Sequence, residues 1–493
     1  MKPFHATGKP SRLEPMSASG TPSGTPDAVV VGSGPNGLAA ALTLARAGLA
    51  VHVFEGANTL GGGCRTEDLT LPGFAHDVCS TVHPLLAASP FFTEKPLAGL
   101  SLKIPEIAFA HPLDGGRAAA VSGSVEQTAM TLGADARAYR RIFAKLVKDT
   151  DAIVPSVLAP LLSPPAHPLA MARFGLLGLW PTTVLARPFK TDQGRALLAG
   201  LGAHSMRPLG APGTGAFALL LGVLAHAVGW PVVEGGSVRI VEAMVAELQS
   251  RGCQVHSGHW ITDLRELPQA QSTLLDIAPR NLLELAGQQV PSRYVEAMRR
   301  FKYGPGIFKV DWALDGPVPW QAEVCRSAPT LHIGGTFEEI ARSESYVAAG
   351  RHSEHPFCIA VQPCVADPTR APEGKHTFYA YCHVPSGSER DMSERIEAQI
   401  ERFAPGFRDL ILARHSVNAV ETERHNPNYV GGDINSGAAT LRQTVFRPAP
   451  SLRPYRTPIA NVYLCSSSTP PGGGVHGMCG YGAAREALGE LGL

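Results

Sequence analysis

The chain has 493 residues, 44% of them hydrophobic, which suits a globular protein of about three domain-sized units with a large core. Its 43 basic and 42 acidic residues leave a net charge of +1, so the sequence carries no electrostatic footprint for nucleic acid or an acidic partner. The nine cysteines stand singly, with no Cys-x-x-Cys pair and no Cys/His cluster at metal spacing. That usage points to a reducing, cytoplasmic compartment and argues against structural zinc and dithiol chemistry.

Residues 1–26 are rich in Ser, Thr, Gly and Pro without the continuous apolar stretch of a secretory signal, and read as a flexible tail. Residues 28–31 form a β-branched run ending in Gly32-x-Gly34-x-x-Gly37, and residues 38–47, rich in Ala and Leu, predict a helix. Strand, tight turn and helix in this order make a dinucleotide fingerprint. Gly32 makes the turn, Gly34 lets backbone approach a pyrophosphate, and Gly37 lets helix and strand pack closely, with Pro35 and Asn36 inside the same site. The helix N-terminus offers the anion unpaired N–H groups and about half a positive charge. Residues 49–54 predict a second strand, and Glu55 at its end is placed for a ribose hydroxyl. The loop Gly61-Gly62-Gly63-Cys64-Arg65-Thr66 follows too soon for another crossover unit. Its backbone can lie along the cofactor while Arg65 balances negative charge.

His83 follows this loop and is a candidate for proton exchange near the reacting centre. The apolar stretches 174–185 and 217–228 come next; the second holds twelve residues, about 18 Å of helix at ~1.5 Å per residue, too short for a bilayer core of about 30 Å. They read as buried helices, with a monotopic surface or an apolar tunnel as the alternative. A second α/β piece starts near residue 232, runs as an amphipathic helix through 241–248 and resumes as a strand at 254–256. Strand-like runs at 306–313, 356–362 and 376–383 suggest a mixed sheet. Lys309 within the first of these is either a catalytic base or an edge-strand lysine with a solvated head. The loop 425–433 uses Asn, Pro and Gly in turn positions, or forms an active-site wall.

The chain closes with a strand at 461–465, the glycine-rich run 466–478 and a last helix from about Gly477. This strand–turn–helix comes too late to begin a nucleotide domain, so its natural task is to aim a helix N-terminus at a cofactor already held by the first motif. N–H groups near Val475 to Met478 suit the negative charge of a reduced flavin, which narrows the dinucleotide to FAD. His476 belongs to this turn and is the third catalytic candidate. The one other Gly-x-Gly-x-x-Gly is this late run, Gly472 to Gly477, so no separate NAD(P)H domain is evident and electrons are expected to leave to oxygen or a quinone.

With these motifs in place, the chain resembles the phytoene-desaturase-like branch of the FAD-dependent oxidoreductases, a superfamily that includes carotenoid isomerases, retinol saturases and flavin amine oxidases. The resemblance covers nearly everything after Pro26. It implies FAD-binding roles for Gly32, Gly34, Gly37, Glu55, Gly61, Gly62, Arg65 and Thr66. It implies the same for Gly474, Val475, His476 and Met478, and an adenine contact near Val255 or Ile261. For Lys309 it implies a water held near the flavin. Two departures stand out. Gly63 replaces the Arg of many relatives, leaving Arg65 alone, and the segment from Thr262 to Asp276 looks shorter than the usual hairpin.

The expected fold is α/β, or α+β overall: a Rossmann-like FAD domain from residues 27–101, 232–292 and 455–493, with a mixed-sheet and helical substrate domain from 102–231 and 293–454. The expected activity is hydride abstraction from an apolar, isoprenoid- or lipid-like substrate, forming or shifting a C=C bond. Amine oxidation, redox-neutral isomerisation and non-catalytic flavin binding are the alternatives. Peripheral contact with a membrane is compatible with this reading, and no metal is expected.

Overall fold

A computed structural model describes residues 24–493, and most of the expected N-terminal tail therefore lies outside the described residues. Strand β1 (Ala28–Val31), helix α1 (Pro35–Arg46) and strand β2 (Val51–Phe54) follow one another as the fingerprint requires. Every residue of β1 and β2 is buried, as expected of central parallel strands covered on both faces. Pro35 starts α1 where a missing N–H costs nothing, and Gly48 with φ of 95° ends the segment.

Three remote segments complete this sheet. Helix α2 (Val238–Ser250) leads into β3 (Gln254–His256), then come β4 (Ser272–Leu275), β5 (Val462–Leu464) and the last helix α3 (Met478–Leu491). The sheet order is β5-β4-β1-β2-β3, all parallel. The alanines of α1 let α2 and α3 pack closely against it: a Cβ on Gly480 of α3 would lie 1.8 Å from the Asn36 carbonyl oxygen. This contact sets the start of the last helix beside the start of the first.

The segment after Ile261 forms a 3₁₀ turn (Leu264–Glu266) and then β4, which enters the sheet between β5 and β1. Residues 272–275 of this segment thus form a central strand.

A second, seven-stranded sheet has the order Ile411–Val417, Gly306–Leu314, His376–Val384, Cys358–Val361, Thr330–Ile333, Ile107–Leu113, Arg117–Ser122. Helices cover it on the side of residues 125–227, and Trp312, Trp320, Phe378 and Phe407 pack in a core on the other. Three of its pieces were not anticipated: the hairpin at 107–122, Thr330–Ile333, and Ile411–Val417, whose charged, half-exposed alternation hid it. The strand carrying Lys309 is flanked on both sides, so the edge-strand alternative is wrong; all nine of its residues are buried. The apolar stretch 174–185 breaks into Pro168–Gly178 and Thr182–Leu185, while 217–228 belongs to the largely buried helix Thr214–Ala227. No helix among the described residues is long and apolar enough to cross a membrane.

Candidate functional site

The C-terminal ends of β1, β2 and β4 open onto a cavity of about 570 Å³, whose lining includes Gly32, Gly34, Glu55, Gly62, Arg65 and Asp276. Its position outside the carboxyl ends of parallel strands is where an open α/β sheet takes a ligand. The glycines are there because nothing larger fits. A Cβ on Gly37 would lie 2.1 Å from the Gly32 carbonyl oxygen, and one on Gly62 would lie 3.1 Å from the Gly34 Cα. The Gly61–Gly62 loop therefore rests directly on the fingerprint turn. Gly63 also has a local cause: a Cβ there would come within 2.2 Å of the Tyr429 hydroxyl.

Glu55 accepts from Ser33 N–H at 2.9 Å, Ser33 Oγ at 2.6 Å and Ala57 N–H at 2.9 Å. It tightens the turn while its carboxylate still lines the cavity, as a ribose-binding acid should. Arg65 is buried. Its Nη2 donates to the Thr59 carbonyl at 2.8 Å, its Nη1 lies 3.2 Å from His425 Nε2, and its Nε has no partner. Burial and the Arg65 charge both lower the pKa of His425. Thr66 donates to Asp77 at 2.7 Å, tying the loop to the short ribbon that follows. Asn36 reaches Ser467 at 3.0 Å and leaves its Oδ1 unpartnered.

A dinucleotide fits these residues. A glycine cradle admits its pyrophosphate, a buried guanidinium with a free Nε meets the negative charge, and an acid stands at the ribose end. Ile261 lines the cavity near this end, with Trp260 beside it, whereas Val255 packs into the core. At the other end the cavity reaches Ser466, Ser467 and Ser468. Gly474, Val475, His476 and Met478 lie beyond it, brought near by the packing of α3 on Asn36.

The three catalytic candidates are buried and tied. Lys309 Nζ donates to Asp311 Oδ1 at 2.5 Å, to Asp311 Oδ2 at 2.6 Å and to the Asp77 carbonyl at 3.0 Å, and sits 4.4 Å from the Tyr379 ring centre. Against the upward push of burial, Lys309 holds Asp311 below the usual carboxylate range, and Arg370 does the same for Asp77. His83 Nε2 lies 3.0 Å from Ser237 Oγ, and burial lowers its pKa to about 4. His476 Nδ1 accepts from Met478 N–H at 3.0 Å, so its Nε2 carries the proton donated to the Gly472 carbonyl at 3.1 Å. Burial lowers its pKa to about 4 as well, and it clasps the late glycine turn.

The 425–433 loop, expected either as plain turns or as a site wall, lines the cavity with residues 425–429, whereas Arg447 and Asp276 were not foreseen. Asp433 accepts from the N–H groups of Gly304, Gly437 and Asn435, and Arg447 donates to the carbonyls of Ser436 and Ser468, two residues that line the cavity. Asn428 donates to the Asp276 carbonyl at 2.9 Å and accepts from Ala278 N–H at 2.8 Å, so the 425–433 loop is clasped to the end of β4. Asp276 itself accepts from Gly37 N–H at 2.9 Å. Among the described residues no His/Cys/Asp/Glu group has metal-binding geometry, and every cysteine is free.

Residues 30–92 match the family of NAD(P)-binding Rossmann-like domains. Pyridine nucleotide-disulfide oxidoreductase domain-containing protein 2 of Mus musculus is 26% identical, with 94% of each chain covered. The lycopene-forming phytoene desaturase of Pantoea ananas is 22% identical over 52% of this chain and 51% of that protein. Cyclohexylamine oxidase from Brevibacterium oxydans shares the fold, with a TM-score of 0.58 at 15% identity over 95% of this chain and all of that one.

Proposed function

We propose that this chain, which belongs to the FAD-dependent oxidoreductase and amine oxidase superfamily, removes a hydride from an apolar, isoprenoid- or lipid-like substrate and so forms or shifts a C=C bond. Its cofactor is FAD. Bound FAD supplies the hydride acceptor, and oxygen or a quinone takes the electrons away.

The protein's part is to bind, orient and exclude water. The Gly32-to-Gly37 turn and Arg65 hold the pyrophosphate, and Glu55 orients the ribose. The His476 clasp fixes the late turn, and Arg447 fixes Ser468 at the far end of the cavity.

The observation that carries the reading is the commitment of Lys309. An ammonium has three donors, and here they meet both Asp311 oxygens and the Asp77 carbonyl. None is left to hold the water that an amine-oxidase-like lysine requires, which favours carbon–carbon chemistry over amine oxidation. The lycopene-forming relative points the same way.

Access from a lipid surface suits such a substrate. The helix Pro168–Gly178 turns Leu169 and Leu176 outward, 82% and 69% exposed, and Leu179 and Trp180 follow at 56% and 48%. Residues 152–191 include Arg173, Arg187 and Lys190 but no Asp or Glu. Arg173 is paired with Asp149, but an apolar outer face with Arg187 and Lys190 following it in the chain still suits an anionic bilayer.

Anaerobic mixing of the yellow protein with terpenoids, polyenes and amines tests the proposal. Bleaching by an apolar alkene or its saturated precursor is expected. Bleaching by amines alone, with stoichiometric peroxide in air, overturns it.

A further inference from the structure

Asp276 ends β4 inside the cavity, and its Oδ2 accepts a 2.9 Å hydrogen bond from Gly37 N–H. Gly37 stands in the first turn of α1, so this N–H is one of the donors a helix start leaves free for an anion. The same oxygen would lie 2.6 Å from a Cβ on Gly34, the residue over which a pyrophosphate must pass. The carboxyl thus occupies the positive end of the helix where the cofactor's two negative charges are due.

Its surroundings offer no compensating cation. Glu55 faces it from the end of β2, Cys465 from beyond β5 and Cys479 from α3, while Asn428 holds its backbone carbonyl. Arg65, Arg280, Arg424, His259, His425 and the acid Glu284 share the cavity wall, yet among the described residues none of the cations forms an ion pair with Asp276. An ionised Asp276 and a pyrophosphate would compete for one helix N-terminus, with Glu55 adding a third anion.

Building on the FAD assignment, we propose that cofactor binding is proton-coupled through Asp276: the FAD pyrophosphate settles on the Gly32-to-Gly37 turn when this carboxyl takes up a proton. The neutral group keeps its contact to Gly37 N–H and gains an O–H to donate to a phosphate oxygen. Burial, with Glu55 adding to it and the Gly37 hydrogen bond opposing, already raises the carboxyl to about 7 in the free protein. The phosphate charge raises it further, so a proton taken up on binding strengthens binding at lower pH.

The test titrates FAD into the full chain stripped of cofactor, following flavin fluorescence between about pH 6 and 9. Kd is expected to be level at the acid end and to rise roughly tenfold per pH unit above about 7. D276N, which keeps shape and hydrogen bonding without the charge, should bind FAD with a Kd that stays level. Calorimetry of the wild-type chain in buffers of different ionisation enthalpy should find close to one proton taken up per FAD at alkaline pH, a readout that stands even if D276N folds poorly. FAD binding with no pH dependence and no proton uptake overturns this proposal alone. A slope that persists in folded D276N also overturns it. Failure to bind FAD at any pH overturns both this proposal and the cofactor assignment.

Discussion

The nucleotide half and the seven-stranded half of this molecule use charge in opposite ways. Around the fingerprint turn, Arg65 keeps an unpartnered Nε, Asn36 an unpartnered Oδ1 and Asp276 a carboxyl without a cation. Around Lys309, Lys309 meets Asp311 on its own strand, and Arg370, whose Nη1 has no partner, meets Asp77 of the adjoining short ribbon at 2.8 Å, all buried. A buried charge without a counter-charge beside a cavity marks where a ligand completes the structure, whereas a paired charge marks where the structure has completed itself.

The largest expected effect falls in the first region. Gly34→Val puts a side chain where 2.6 Å separates a Cβ from Asp276 and blocks the approach of pyrophosphate. The purified variant should be colourless yet folded, and full FAD occupancy would refute the cradle. The paired region should fail differently. Lys309→Met leaves Asp311 buried without its cation and should cost about 3–5 kcal/mol in a denaturant melt. A variant with unchanged stability but no turnover would instead make Lys309 a reacting group.

pH separates folding from cofactor binding. His83, His111 and His476 are buried, which lowers each from 6.5 to about 4. The unfolded chain therefore binds more protons than the folded one between these values. Stability should be complete above about 6.5 and fall as the pH drops towards 4, a window distinct from the one expected for FAD binding near 7. Chemical denaturation at stepped pH checks this, and a flat profile would show that these rings are open to solvent. The smallest effect is reserved for the outward leucines. Leu176→Glu with Leu179→Glu should change stability by no more than about 0.5 kcal/mol while reducing sedimentation with anionic vesicles. Unchanged vesicle binding would remove the lipid-facing role of that helix.

The same contrast explains what could be read from the chain. The turn at Gly32, the acid at Glu55 and the helix after each strand are local requirements, met within a few residues, and they stood in the sequence. Asp276 meets Gly37 across 239 positions, and Arg447 meets Ser468 only because β5 enters the sheet beside β4. Nothing in their own neighbourhoods signals those contacts. Lys309 was ambiguous for another reason. Both faces of its strand are covered, so all nine residues are buried and the two-residue alternation that separates inside from outside is absent. Gly63 had seemed a missing charge until Tyr429 was found in the space a side chain would take.

We propose that the Gly32 turn, the end of β4 and the glycine-rich run after β5, remote in the chain, build one FAD site. The most direct test is the amount of FAD released per chain from gently purified protein, with reconstitution of any apoprotein. One FAD per chain is expected, and a colourless protein that takes up no added FAD would rule such a site out.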